Sequence, residues 1–370
     1  MYSDVRKLVA DAQAAIGHQT EVPGSDASAA SKLVLFHSPT SVCSEKCRTV
    51  LFELNLPFTS HAVNILAHDN YHPAYVALRV AAWQQSGLPM AGESDYEWTG
   101  SSSVAANGVD CCVVPTLVDM RGDGEPKIVI DSSAICEHLM AGTGLLPADP
   151  HKAAIIEKHI KLVDEVPHPA LLYEGNSVHD NRPWFAKVMI GKAHSGQIAA
   201  LKKRLAEKGK TWDDPLLERA YKAKVNKTKK GLAAPSKPTY LTAAVDKTMS
   251  VLKELEADLA AHDADGGSSY VSGDSITAAD LFQAVNLHRL LLLGNSWMWQ
   301  DLPHVAAFAD RMLSRPSIQK AVITYPGMIP SRPTADLITK DQGFIAGFIH
   351  GRRVDFLNSL VFVMRLIGMA

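Results

Sequence analysis

A serine and a cysteine two positions apart, Ser41 and Cys43 in the run SVCSEKC, stand where an apolar strand pattern, KLVLFHS at 32–38, hands over to a helix. In SVCSEKCRTVLFELNL, Val42, Val50, Leu51 and Leu54 recur at helical spacing. A sulfur in the first turn of such a helix meets backbone N–H groups without intrahelical partners and the positive end of the helix dipole; both favour a thiolate. Cys43 is therefore a candidate nucleophile, and Ser41 supplies a hydroxyl able to donate to a sulfur anion. A lone free cysteine also reads as a small buried hydrophobe, so its surroundings decide.

Two other stretches bear on the same chemistry. In VVPTLVD, Val114 precedes Pro115 where a strand should begin, and proline is tolerated there only at an edge, an end or a special turn. A cis-proline loop would offer the backbone of Val114 to a peptide-like ligand. In DSS at 131–133, Asp131, Ser132 and a helix N-terminus provide an acceptor for an amine and donors for a carboxylate. A cysteine-containing zwitterion would fit all three points.

The elements that must hold these residues follow from pattern. After the first strand and helix come FTSHAVNIL, a β-rich run, and a helix around PAYVALRVAAWQQ. A Gly- and Ser-rich passage at about 86–110 reads as an insertion rather than an element. VVPTLVD and PKIVI are then two strands parted by RGDGEP, and DSSAICEHLM is a capped helix. The order β-α-β-α-β-β-α is a compact α/β unit. From GLLPADPHKAAIIEKHIKLVDEV to about 325 helical periodicity dominates, and Thr277 and Asp280 have capping-box spacing before the strongest helix.

The balance of 37 Lys plus Arg against 39 Asp plus Glu gives a net charge of −2, with no electrostatic footprint for nucleic acid or an anionic membrane. The expected partner is a small molecule. No run approaches the roughly 18 apolar residues of a membrane span, and SLVFVMRLIGMA is broken by Arg365. Five cysteines, spaced unlike a disulfide framework, and an N-terminus without an apolar signal core point to a cytoplasmic protein. Cys47 lies one turn after Cys43, but zinc partners at the usual spacing are missing, so no metal is expected. Residues 1–31 combine a short helical pattern with the linker composition PGSDASAAS and read as a poorly tied extension. The lysine-rich stretch 201–230 reads as a solvated face, and 331–370 as a tail, whether docked helix, membrane-surface segment or disordered end.

The element order, VVPTLVD, DSSAICEHL and SGDSITAADL resemble the glutathione transferase family over roughly residues 32–330. The resemblance implies a thioredoxin-like glutathione-binding domain at 32–141, an all-helical substrate domain at 150–330, and a homodimer. Within the family, SVCSEKCR, PAYVALR, LLPAD and PHPALLYEGNSVHDNRP look most like the glutathione-dependent reductive dehalogenases of chlorinated hydroquinones. The maleylacetoacetate isomerases carry Ser-Ser-Cys at this turn; here the second serine is Val42.

The roles this implies are specific. Glutathione, as cosubstrate, would lie along Val114 and Pro115 with its γ-glutamyl end at Asp131 and Ser132. Ser41 would activate its thiol, and Cys43 would take the sulfur back off a small aromatic product. His168 and Tyr173 would border the substrate pocket, orienting a phenolic oxygen or acting in acid–base steps; a histidine satisfied in a bend between two prolines is the competing reading. The alternatives are β-aryl ether cleavage, glutathionyl-hydroquinone reduction, or a non-catalytic binding protein.

Overall fold

The computed structural model describes residues 4–16, 18–24, 32–93, 96–173, 182, 184–234, 237, 239–263 and 270–328; the expected tail at 331–370 lies outside them. The chain opens with helix α1 (Val5–Ala15) and strand β1 (His18–Val22). Val5, Val9, Ala12 and Ile16 recur at helical spacing and are buried in one cluster with Val34, Phe36, Tyr75 and Leu78. The reading of this stretch as poorly tied does not hold for residues 4–16 and 18–22, which pack into the core and add a strand to the sheet; residues 25–31, most of PGSDASAAS, lie outside the described residues.

The α/β unit continues with β2 (Leu33–His37), α2 (Val42–Glu53), β3 (Phe58–Ala62) and α3 (Pro73–Ser86). The short α4 (Val104–Asn107), then β4 (Thr116–Asp119), β5 (Lys127–Ile130) and α5 (Ser132–Met140), complete it. The sheet runs β1-β3-β2-β4-β5. β2 and β3 are parallel, Val34 opposite Thr59, while β1 lies antiparallel on β3 with Thr20 opposite Ser60, and β4 antiparallel on β2. All five residues of β2 are buried, as a strand covered on both faces requires.

Helices follow: α6 (Pro150–Asp164), α7 (His168–Tyr173), α8 (Trp184–Ala206), α9 (Pro215–Ala233), α10 (Tyr240–Asp263), α11 (Ala278–Leu292), α12 (Pro303–Leu313) and α13 (Pro316–Ile318). α11 is the axle of this part, packed against α2, α6 and α12, with every residue but Leu291 buried. Its cap is built on Asp280, whose carboxylate accepts from the N–H of Val271 at 2.8 Å and of Thr277 at 2.7 Å, and from the Thr277 hydroxyl at 2.9 Å.

The described residues of the passage at 86–110, expected to hold no element, include α4 and dock on α9. Gly92 has φ +98°, and a Cβ there would sit 2.1 Å from the Ala223 carbonyl oxygen, so only glycine permits the approach. Asn226 donates to the Gly92 carbonyl at 2.8 Å, Arg219 grips Glu93, and Trp98 lies against Gly231.

Candidate functional site

Ser41 is the N-cap of α2. Its backbone is extended, and its Oγ accepts from the Ser44 N–H at 3.4 Å, which leaves the hydroxyl proton to donate elsewhere. Cys43, the second helical residue, is partly exposed. The turn leading into the helix is gripped by two arginines. Arg48 donates to the carbonyls of Ser38 at 3.2 Å and Pro39 at 2.8 Å, and Arg289 of α11 to that of Thr40 at 2.6 Å. Arg289 also pairs with the buried Glu45 at 2.9 Å, and Arg48 lies 4.2 Å over the Tyr325 ring. Charge-assisted bonds to three successive carbonyls fix where the helix begins and where Ser41 and Cys43 point.

That point is a cavity of about 350 Å³. Ser41, Cys43, Val114, Pro115, Asp131, Ser132, His168 and Tyr173, from four separate stretches of sequence, all line it. The Val114–Pro115 bond is cis. α3 holds the loop from behind: Arg79 donates to the Pro115 carbonyl at 2.5 Å and to the Asp110 carbonyl at 2.8 Å, and the Tyr75 hydroxyl donates to the Val113 carbonyl at 2.8 Å.

Asp131 caps α5, with Oδ1 accepting from the N–H groups of Ser133 at 3.0 Å and Ala134 at 3.1 Å. Burial raises its pKa and so does the charge of Asp164; the cap bonds and Lys46 pull the other way. Lys46 is itself buried and paired with Asp164, which also accepts from the Ser133 hydroxyl. Burial works against the Lys46 ammonium, but Asp164, Cys43 and Asp131 outweigh it and raise its pKa.

His168 is buried, and neither ring nitrogen has a hydrogen-bond partner among the described residues. Burial, reinforced by the charges of Arg289 and Lys46, pushes its pKa well below the ordinary histidine value, so the ring is neutral at neutral pH. Tyr173 stacks on His194 with ring centres 3.9 Å apart, and burial raises its pKa. Cys47, by contrast, is fully buried with its thiol towards the Ser132 carbonyl at 3.7 Å, in the core rather than the cavity.

Family models named Glutathione S-transferase, N-terminal domain and Glutathione S-transferase, C-terminal domain match residues 40–141 and 215–322. Over 314 residues, 82% of this chain and 86% of the relative, the sequence is 36% identical to the 2,5-dichlorohydroquinone reductive dechlorinase of Sphingobium indicum. The chain belongs to the glutathione transferase family. It is a glutathione-dependent enzyme with glutathione as cosubstrate. Among solved structures, the β-etherase LigF from Sphingobium sp. strain SYK-6 aligns at TM-score 0.46 and 18% identity, over 78% of this chain and 98% of that one. FzlA from C. crescentus aligns at 0.48 and 17%, over 83% and 99%.

Other residues of this transferase reach the site from places the sequence reading passed over. The stretch 201–230, expected to be a solvated face, turns two lysines of α9 inward: Lys224 and Lys227 line the cavity and both meet Asp110, at 2.7 and 3.1 Å. Leu217, Ala220, Tyr221, Ala223, Thr228 and Gly231 are the buried residues of α9 beside them, and the 3.6-residue period from Leu217 points to Lys224 and Thr228. That period was the available signal. For Arg48 and Arg289 no local signal exists, since their carbonyl partners are set by the fold.

Proposed function

We propose that this transferase is a reductive dehalogenase of chlorinated hydroquinones, with residues 32–141 binding glutathione and residues 150–330 the aromatic ring. One observation carries the reading: a hydroxyl and a thiol, Ser41 and Cys43, open the same helix and line the same cavity. Conjugation alone needs only the hydroxyl. The 36% identity to a 2,5-dichlorohydroquinone reductive dechlorinase supports the substrate class.

Glutathione lies along Val114 and Pro115, its γ-glutamyl amine at the Asp131 carboxylate and its α-carboxylate at Ser132 and the first turn of α5. Ser41 donates to the glutathione sulfur and favours the thiolate. The thiolate attacks the chlorine-bearing carbon of the keto tautomer, a C–S bond replaces C–Cl, and chloride leaves. The Cys43 thiolate then attacks the sulfur of the conjugate; an S–S bond forms, the C–S pair returns to the ring as an enolate that is the aromatic phenolate, and protonation at oxygen yields the reduced hydroquinone, whose new C–H is the proton placed on that carbon in the keto tautomer. A second glutathione thiolate resolves the mixed disulfide. Per turnover two glutathiones become one disulfide, and one C–Cl bond becomes C–H with release of hydrogen chloride.

His168 and Tyr173 border the ring. The neutral His168 imidazole, with two unpartnered nitrogens, offers one donor and one acceptor to phenolic oxygens and to the proton moved in tautomerisation. The working form in this reading is a cytoplasmic homodimer, and light scattering of the purified protein tests the dimer. The chemistry is tested by incubation with glutathione and 2,5-dichlorohydroquinone while chloride and oxidised glutathione are followed together. One-to-one appearance of both supports the reading; conjugate formation without oxidised glutathione, or no chloride at all, sinks it.

A further inference from the structure

We infer that Lys227, with Lys224 and Asp110 behind it, forms an oxyanion site that selects the ionised, phenolate form of an aromatic substrate. The choice of an aromatic ring rests on the function proposed above; the charge argument does not. Two ammonium groups converge on one oxygen, Asp110 Oδ2, at 2.7 Å from Lys224 and 3.1 Å from Lys227. All three side chains are nearly buried and all three residues line the cavity. Two cations against one anion leave one positive charge in surplus, and a buried charge without its own counter-charge is costly.

The two lysines are not equivalent. Asp110 also accepts from the Cys112 N–H at 2.9 Å, which fixes its carboxylate. Burial works against the Lys224 ammonium, but Asp110 more than compensates, and its pKa is raised. For Lys227 burial and the neighbouring Lys224 charge prevail over Asp110, and its pKa is lowered. The surplus charge is therefore the Lys227 ammonium, the one that a ligand anion would stabilise.

What surrounds this cation tells the kind of anion. The Tyr96 ring centre is 5.9 Å from Lys227 Nζ, and Trp98 packs against Gly231, one turn further along α9. Cys43 and Lys227 line the same cavity, so the cation and the reacting sulfur face one space. An anionic oxygen on an aromatic ring fits such a site. Ionisation of the ring hydroxyl also feeds the keto tautomer that the displacement step needs.

Glutathione carries carboxylates of its own, so the test separates the two ligands. The protein is saturated with S-methylglutathione, which fills the cosubstrate site without a reactive thiol. Binding of 2,4,6-trichlorophenol, ionised at neutral pH, and of its methyl ether is measured by calorimetry. Wild type should favour the phenolate about 10- to 100-fold. Lys227→Met should abolish that preference with the S-methylglutathione affinity unchanged, and Lys227→Arg should keep it. Equal binding of phenolate and ether by wild type, binding of neither, or a Lys227→Met loss that falls on S-methylglutathione would overturn the assignment. Because the readout is binding, a failure to release chloride would sink the proposed reaction and leave this site standing.

Discussion

Replacing Asp280 by alanine should unfold this protein far more readily than any surface substitution, because one carboxylate holds both the entry to α11 and the loop before it. Asp280 is fully buried and accepts three hydrogen bonds, from the Val271 N–H, the Thr277 N–H and the Thr277 hydroxyl. Its removal leaves two buried backbone N–H groups without an acceptor, at about 1–3 kcal/mol each. The Thr277 hydroxyl still accepts from Ser272 at 3.2 Å but loses the acceptor of its own proton. Burial raises the pKa of the Asp280 carboxyl and so offsets part of what the bonds contribute, which brings the expected loss to about 2–4 kcal/mol. Asp280→Asn keeps one acceptor oxygen and should lose about half as much. Urea unfolding at pH 7, followed by circular dichroism for the three proteins, gives the comparison. A loss below about 1 kcal/mol for the alanine variant would refute this account of the cap.

Acid should destabilise the fold through buried neutral histidines. His37 and His168 are held well below the ordinary value by burial, and His288 is lowered to about 4. These depressed values mean that stability is full above the unfolded-state pKa of about 6.5 and is lost as pH falls, since only the unfolded chain gains the protons. The slope is about 1.4 kcal/mol per pH unit for each histidine, roughly 4 for three together; a thermal midpoint unchanged from pH 7.5 to 5 would contradict it. Gly92→Ala should push the insertion off α9, given the 2.1 Å approach to Ala223, and raise KM for the aromatic substrate with glutathione affinity unchanged. An unchanged KM would remove the insertion from the substrate side. Ser41→Ala should slow chloride release about 10²-fold while a preformed glutathionyl conjugate is still reduced at the normal rate; equal loss in both steps would deny Ser41 its separate role.

Much of this was legible from residues alone. The strand and helix around Ser41 announce themselves because an all-apolar run gives way to a capped 3.6-residue period, both local features. The Val114–Pro115 loop and the Asp131 cap are likewise local, which is why six residues read from local pattern meet in one cavity with His168 and Tyr173, the two that the family resemblance implied. The misses are non-local or masked by composition. β1 is a strand by virtue of its partner β3, some 40 residues on, and the helical pattern of α1 was legible while its docking on α3 was not. Lys224 and Lys227 sat in a run whose charge suggested water, although the helical period marked Lys224 as inward, and both meet Asp110. Arg289 reaches Thr40 across 249 residues, a pairing that only the packed fold defines.

The most direct test of the central claim is a single turnover of Cys43→Ser with glutathione and 2,5-dichlorohydroquinone, quenched and read by mass spectrometry. Chloride should leave at the wild-type rate and the glutathionyl hydroquinone should accumulate, whereas wild type should yield free reduced ring and a glutathionyl group on Cys43. Release of the reduced ring by Cys43→Ser at the normal rate would contradict the role assigned to the cysteine.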